Sequence, residues 1–159
     1  DVETAIVAGL LADLGSGGDY STLIVQDVNS DPLWTVQTAI DNRTQPVINV
    51  VALEAVEEFS GHGSAARRKT LQYYEFMATG LIRADGKANT VRDARELRRR
   101  IVKWLGENSQ LNVVASDGER FRSLQLQKSR VALWGRYDTN LSTFYGTAEV
   151  LFRVESSVS

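Results

Sequence analysis

Gly61, Gly63 and Ala66 stand in the order G-x-G-x-x-A within EEFSGHGSAARRKTLQYYEF, residues 57–76, and they enclose His62, the one histidine of the chain. Glycines at this spacing let a backbone approach a pyrophosphate when a strand precedes them and a helix opens at the last small residue. Here the following residues, RRKTLQYYEF, alternate like a strand. No acid stands about 20 residues on at the end of a second parallel strand, where a ribose would need it. The spacing therefore reads as a hairpin tip, and no cofactor is expected. His62 could act as a general base only beside a nucleophile or carboxylate, and no G-x-S-x-G elbow accompanies it. One histidine without cysteine is also a poor zinc set. His62 reads as an exposed or interface residue.

The acids offer no stronger chemistry. Asp27, Asp31 and Asp41 gather in the first third, and Asp85 and Asp93 bracket a later segment. Neither group has the spacing of a calcium loop, and both read as turn and capping residues. Nothing recommends a particular carboxylate pair for hydrolysis. No catalytic residue, metal ligand or cofactor-binding residue is expected, and the chain does not read as an enzyme.

Charge says more. Over 159 residues, 18 Lys and Arg face 20 Asp and Glu, a net charge of −2 that hides an uneven distribution. The segment RDARELRRRIVK, residues 92–103, holds six bases and two acids. Arg92, Arg95, Arg99 and Lys103 fall at spacings of three and four, so on a helix they form one positive ridge. Such a ridge could grip the phosphates of a duplex. It could equally be a solvated or protein-facing surface whose long side chains cover a sheet edge. Glu54, Glu57 and Glu58 cluster elsewhere, and Arg67, Arg68 and Lys69 stand at the base of the glycine-rich loop. These patches mark surfaces that meet something.

The elements that must position these groups read as follows. Val7, Leu10, Leu11 and Leu14 trace a first amphipathic helix over residues 3–14, ended by GSGG. TLIVQDV, residues 22–28, suggests a short strand, and SDPLWTVQTAI a short helix near 32–41 with strand as the competitor. PVINVVALEAVEEF reads as a strand from residue 46 to about 58, and RRKTLQYYEFMATGLIRA as its partner in a long hairpin. TVRDARELRRRIVKWL is the clearest helix: Thr90 can cap it, Val91, Ala94, Leu97, Ile101 and Leu105 form its apolar stripe, and Gly106 ends it. RFRSLQLQ places Phe121, Ser123 and Gln125 on one face and Leu124 and Leu126 on the other. In TFYGTAEVLFRVE, Phe144, Gly146, Ala148, Val150, Phe152 and Val154 alternate with polar residues. The sum is an α+β fold in a single domain over 1–159: a mostly antiparallel sheet with a long β-hairpin, packed on one face by two or three helices.

The lack of cysteine fits a reducing compartment. The start, DVETAIVAGLLADLG, does not read as a signal peptide. No segment approaches the roughly 20 apolar residues of a membrane helix, so no membrane partner is expected.

The order of these elements resembles the tail terminators of long-tailed bacteriophages, also called tail completion or head–tail joining proteins. A short N-terminal helix leads to a hairpin opening as PVINVVALEAVEEF and closing as RRKTLQYYEFMATGLIRAD. The helix TVRDARELRRRIVKWLG and the strand STFYGTAEVLFRVES follow, so the resemblance spans roughly residues 1–155. The segment 19–45 is longer than the compact start of that family. The resemblance implies a structural virion protein of the tail and neck, assembled in the host cytoplasm. It implies a homo-oligomer, a hexameric ring, at the head-proximal end of the tail tube. That ring ends tube growth, joins the tail to the head–tail connector and neck proteins, and lets genomic DNA pass through its lumen without sequence-specific binding. Within such a ring, Glu54, Glu57, Glu58, Gly61, His62, Gly63, Arg67, Arg68, Arg92, Arg95 and Arg99 are the candidate assembly interface. Another neck or head-completion protein, or a small DNA-binding α+β domain using its basic helix, are the alternatives.

Overall fold

The computed structural model describes residues 2–15, 24–27, 47–60, 69–82, 86–110, 113–114, 120–138 and 141–157. The possible element at 32–41 lies outside these residues. Helix α1 (Val2–Leu14) opens the chain, followed by β1 (Ile24–Asp27), β2 (Val47–Ser60) and β3 (Lys69–Ile82). Helix α2 (Lys87–Glu107) leads to β4 (Val113–Val114), β5 (Arg120–Asp138) and β6 (Leu141–Ser157). The fold class is α+β, as expected.

The six strands form one sheet in the order β1-β2-β3-β6-β5-β4. Its four long strands, β2, β3, β6 and β5, pair antiparallel throughout. Only β1 runs parallel to its neighbour, placing Ile24 opposite Val47 and Asp27 opposite Val50. The β-branched run of β2 and the alternation of β6 suit a pleated, half-buried surface. Both helices lie on one face, α1 over β1 and β2 and α2 over β3, β6 and β5.

The core sits between those layers. From α1 come Val2, Ile6, Leu10 and Leu14, every fourth residue. The expected stripe is therefore rotated: Leu10 and Leu14 are buried, but Val7 only flanks the core and Leu11 is 40% exposed. Gly15 closes the helix by donating its N–H to the Leu11 carbonyl at 2.9 Å. From α2 come Ala94, Leu97, Ile101, Trp104 and Leu105. The strands answer with Ile48, Val50, Phe76, Ala78, Ala148, Val150, Phe152 and Val154. Phe76 and Phe152, cross-strand partners, stack with ring centroids 5.6 Å apart. Burying each such side chain contributes about 1.5–3 kcal/mol.

Two glycines set how closely α2 can approach. A Cβ on Gly146 would lie 2.6 Å from the Ala94 Cβ and 3.1 Å from the Thr90 carbonyl oxygen. A Cβ on Gly80 would lie 2.5 Å from Leu97 Cδ2. Without side chains at these points, the first half of the helix settles directly onto the sheet.

Three expectations are corrected. Thr90 does not cap α2, which begins three residues earlier after Gly86, whose φ of 80° suits glycine. Thr90 is instead fully buried inside the helix, and its hydroxyl donates back to the Gly86 carbonyl at 2.8 Å. Gly106 does not end α2 either, because the helix runs to Glu107 and Asn108 caps it with bonds to the Trp104 carbonyl. In β5, Phe121 and Leu124 share the buried face, while Leu126 is 45% exposed. The register shift between Phe121 and Ser123 explains why Phe121 and Leu124 share a face. Leu126 pairs with Phe152 before the second shift, between Leu126 and Lys128, so its exposure is not an effect of register. Each extra residue flips the alternation.

Candidate assembly surfaces

The basic ridge forms on the outer side of α2, as its spacing requires. Arg92, Arg95 and Arg99 line a cleft of about 880 Å³ together with Lys87, Arg98 and the acids Asp93 and Glu96. Much of this charge is matched within the helix. Arg99 grips Glu96 through Nε at 3.0 Å and Nη2 at 2.7 Å, and Arg100 donates to the same carboxylate at 2.8 Å. Arg92 pairs with Asp93 at 3.0 Å, and Lys103 lies 3.6 Å from Glu107. The hydrogen bond from Arg99 lowers the Glu96 carboxyl pKa; burial opposes this, and the second hydrogen bond from Arg100 and the charges of both arginines add to the lowering. Arg98 turns toward the sheet and donates to the Ser129 hydroxyl of β5 at 3.2 Å. Arg95 is exposed, with no side-chain partner among the described residues.

A polar contact joins the two helices. Trp104 Nε1 donates to the Asp13 carboxylate at 2.8 Å, and Gly9 leaves room for the indole. This tie fixes α1 beside α2 while the ring remains almost wholly buried.

The sheet face away from the helices has a different chemistry. Arg153 of β6 reaches its cross-strand neighbour Glu75 of β3 with Nε at 3.0 Å and Nη2 at 2.9 Å. Arg130 of β5 pairs with Glu149 of β6, directly opposite in register. Ser123 donates to Glu155 at 3.2 Å. Met77 and Leu151 fill the space between these pairs and, with Lys128, Ser129, Arg130 and Glu149, line a depression of about 170 Å³.

Glu54, Glu57 and Glu58 fall on β2, opposite Glu75, Gln72 and Leu71. They stand toward one border of the sheet, whereas Arg98 draws the basic face of α2 toward β5 near the other. Gly61, His62, Gly63, Arg67 and Arg68 lie outside the described residues. The cross-strand pairs of the open face escaped the sequence reading, because they depend on which strands become neighbours. The Glu96 pairs did not need a structure, since spacings of three and four predict them.

Among the described residues, no group of three or more His, Cys, Asp or Glu is placed to hold a metal ion. No helix there is long and apolar enough to cross a membrane. In comparison with known proteins, no protein-family model matches the sequence and no curated protein aligns with it significantly.

Proposed function

We propose that this chain is a structural ring subunit of a bacteriophage neck, a tail terminator that ends tail-tube growth and joins the tail to the head connector. The observation that carries the reading is where the chain places its acidic and basic segments. Glu54, Glu57 and Glu58 are positions of β2, toward one border of the sheet, while the basic helix α2 lies over β3, β6 and β5 and reaches β5 through Arg98. A ring requires each subunit to show its neighbours two different, complementary surfaces, and segments of opposite charge can supply them. Complementary charge sets register and partner choice more than affinity. The order of elements, with α1, the paired β2 and β3, α2 and the long β5 and β6, is also the order that the family resemblance carries. In this reading the partners are further copies of the chain, six to a ring, the tail-tube protein and the connector proteins, and no reaction is catalysed. DNA crosses the lumen without being read.

The test is electron microscopy of polymerised tail tubes incubated with the purified chain. The proposal expects a ring seated on one end of each tube and an arrest of further growth. Tubes that stay bare and keep elongating contradict it.

A second reading follows from the cleft beside α2, where Lys87, Arg95 and Arg98 are not neutralised by a described carboxylate. That surface suits a phosphate backbone. Tight, salt-sensitive duplex binding that disappears in Arg95→Glu with Arg99→Glu would favour a DNA-binding module over a ring.

A further inference from the structure

Among the described residues, the sheet ends on two borders that are paired only in part. On one side, β1 pairs with Val47–Val50 of β2 and reaches no further. Residues 54–60 of β2, beyond a register shift, have no strand on their outer side among the described residues. On the other side, β4 pairs with Arg120 and Phe121 alone, which leaves residues 122–138 of β5 in the same condition. A strand border presents a row of backbone donors and acceptors, and proteins normally protect it with charge. Here the charges have opposite signs. Residues 54–60 contain three acids and no base, while residues 122–138 contain four bases, Arg122, Lys128, Arg130 and Arg136, and one acid, Asp138. Arg130 is engaged by Glu149; without it the stretch still holds three bases to one acid.

We infer that the β2 border of one subunit pairs with the β5 border of the next, so that the occupant of each border is a second copy of this chain. This deepens the ring reading and rests on its claim of self-assembly, but not on where the ring sits. Three features carry it. β2 and β5 run in opposite directions within the sheet, since three antiparallel pairings separate them. Two subunits in the same orientation would therefore join β5 to β2 as an antiparallel pair, the commoner and slightly more stable ladder. Each border repels its own kind and attracts the other, because like charges on facing strands are unfavourable. This disfavours a two-fold dimer through β2 or through β5. Finally, β1 covers the start of β2 and β4 the start of β5, at opposite ends of the sheet. With subunits level, the registers bring only residues 54–56 against residues 123–125. Longer pairing of the uncovered stretches needs the neighbour to slide along the strand direction, and such a stagger is what closing a sheet into a barrel requires.

The chain has no cysteine, so single cysteines report contacts cleanly. Val56→Cys is mixed with Gln127→Cys or with Ala132→Cys and treated with a short bismaleimide, in the presence of tail-tube protein. We expect linked dimers from the mixtures, none from either variant alone, and a ladder ending at one closed size when Val56→Cys and Gln127→Cys share a chain. Glu57→Lys with Glu58→Lys should lower the linked product by about tenfold or more, as should Lys128→Glu with Arg136→Glu. Mixing these two charge-reversed chains should restore it, which misfolding of either could not do. Self-linking of Val56→Cys, or an oligomer by native mass spectrometry that yields no β2–β5 product, overturns the border pairing and leaves the ring. A monomer under every condition overturns both.

Discussion

Beneath the helices, β6 presents Ala148, Val150, Phe152 and Val154, all buried, whereas the opposite face of the same strand carries Glu149, Arg153 and Glu155, each half-buried. The first set is held by shape: a stacked Phe76–Phe152 pair, and glycines at positions 80 and 146 that admit α2. The second is held by charge, through Glu75, Arg130 and Ser123 on the neighbouring strands. The difference teaches where sensitivity should lie. Close-packed interiors respond to single methyl groups, whereas ion pairs near water return little of their Coulomb energy.

The comparison breaks most readily at its centre. Phe152→Ala should destabilise the protein by about 3–5 kcal/mol in urea unfolding, through lost burial and the cavity left behind. A next, smaller effect separates the two glycines. Gly146→Ala should cost about 1–3 kcal/mol, because its new methyl meets the Ala94 Cβ and the Thr90 backbone. Gly80→Ala should cost less, since its new methyl meets chiefly the movable end of Leu97. Equal losses at the two positions would argue against the helix placement.

On the open face, a double-mutant cycle with Glu75→Gln and Arg153→Met should give a coupling of about 0.5–1 kcal/mol, falling with added salt. The smallest effect is expected at Glu96 on the outer side of α2. Its folded pKa is lowered by the hydrogen bonds from Arg99 and Arg100, so its contribution is present above the unfolded carboxylate pKa. That contribution is lost as pH falls through the lowered value. Glu96→Gln should therefore be slightly less stable than the native chain near neutral pH, and the two should converge in acid.

Much of this contrast is legible in the residues themselves. The alternation of β6 and the three-and-four spacing of Ala94, Leu97, Ile101 and Leu105 identify the buried faces before any pairing is known. Trp104, three residues beyond Ile101, joins that stripe, and Asp13 of a distant helix receives its N–H. The faces of β5 were not legible, because its two register shifts leave no local mark that a period of two can detect. The start of α2 was misplaced because Thr90 resembles a cap, while the true boundary is set by the backbone of Gly86. The parallel pairing of β1 was hidden because it joins segments far apart in sequence. The basic ridge is legible in its spacing, and so is its partial neutralisation by Glu96, which stands three and four residues from Arg99 and Arg100.

Assembly is the claim on which the account turns, and native mass spectrometry of the full chain addresses it most directly. The chain is measured with and without tail-tube protein over a range of ionic strength. The account predicts a single closed oligomer with one subunit number, weakened by salt. A monomer at every concentration and salt, with or without the tube protein, would contradict it.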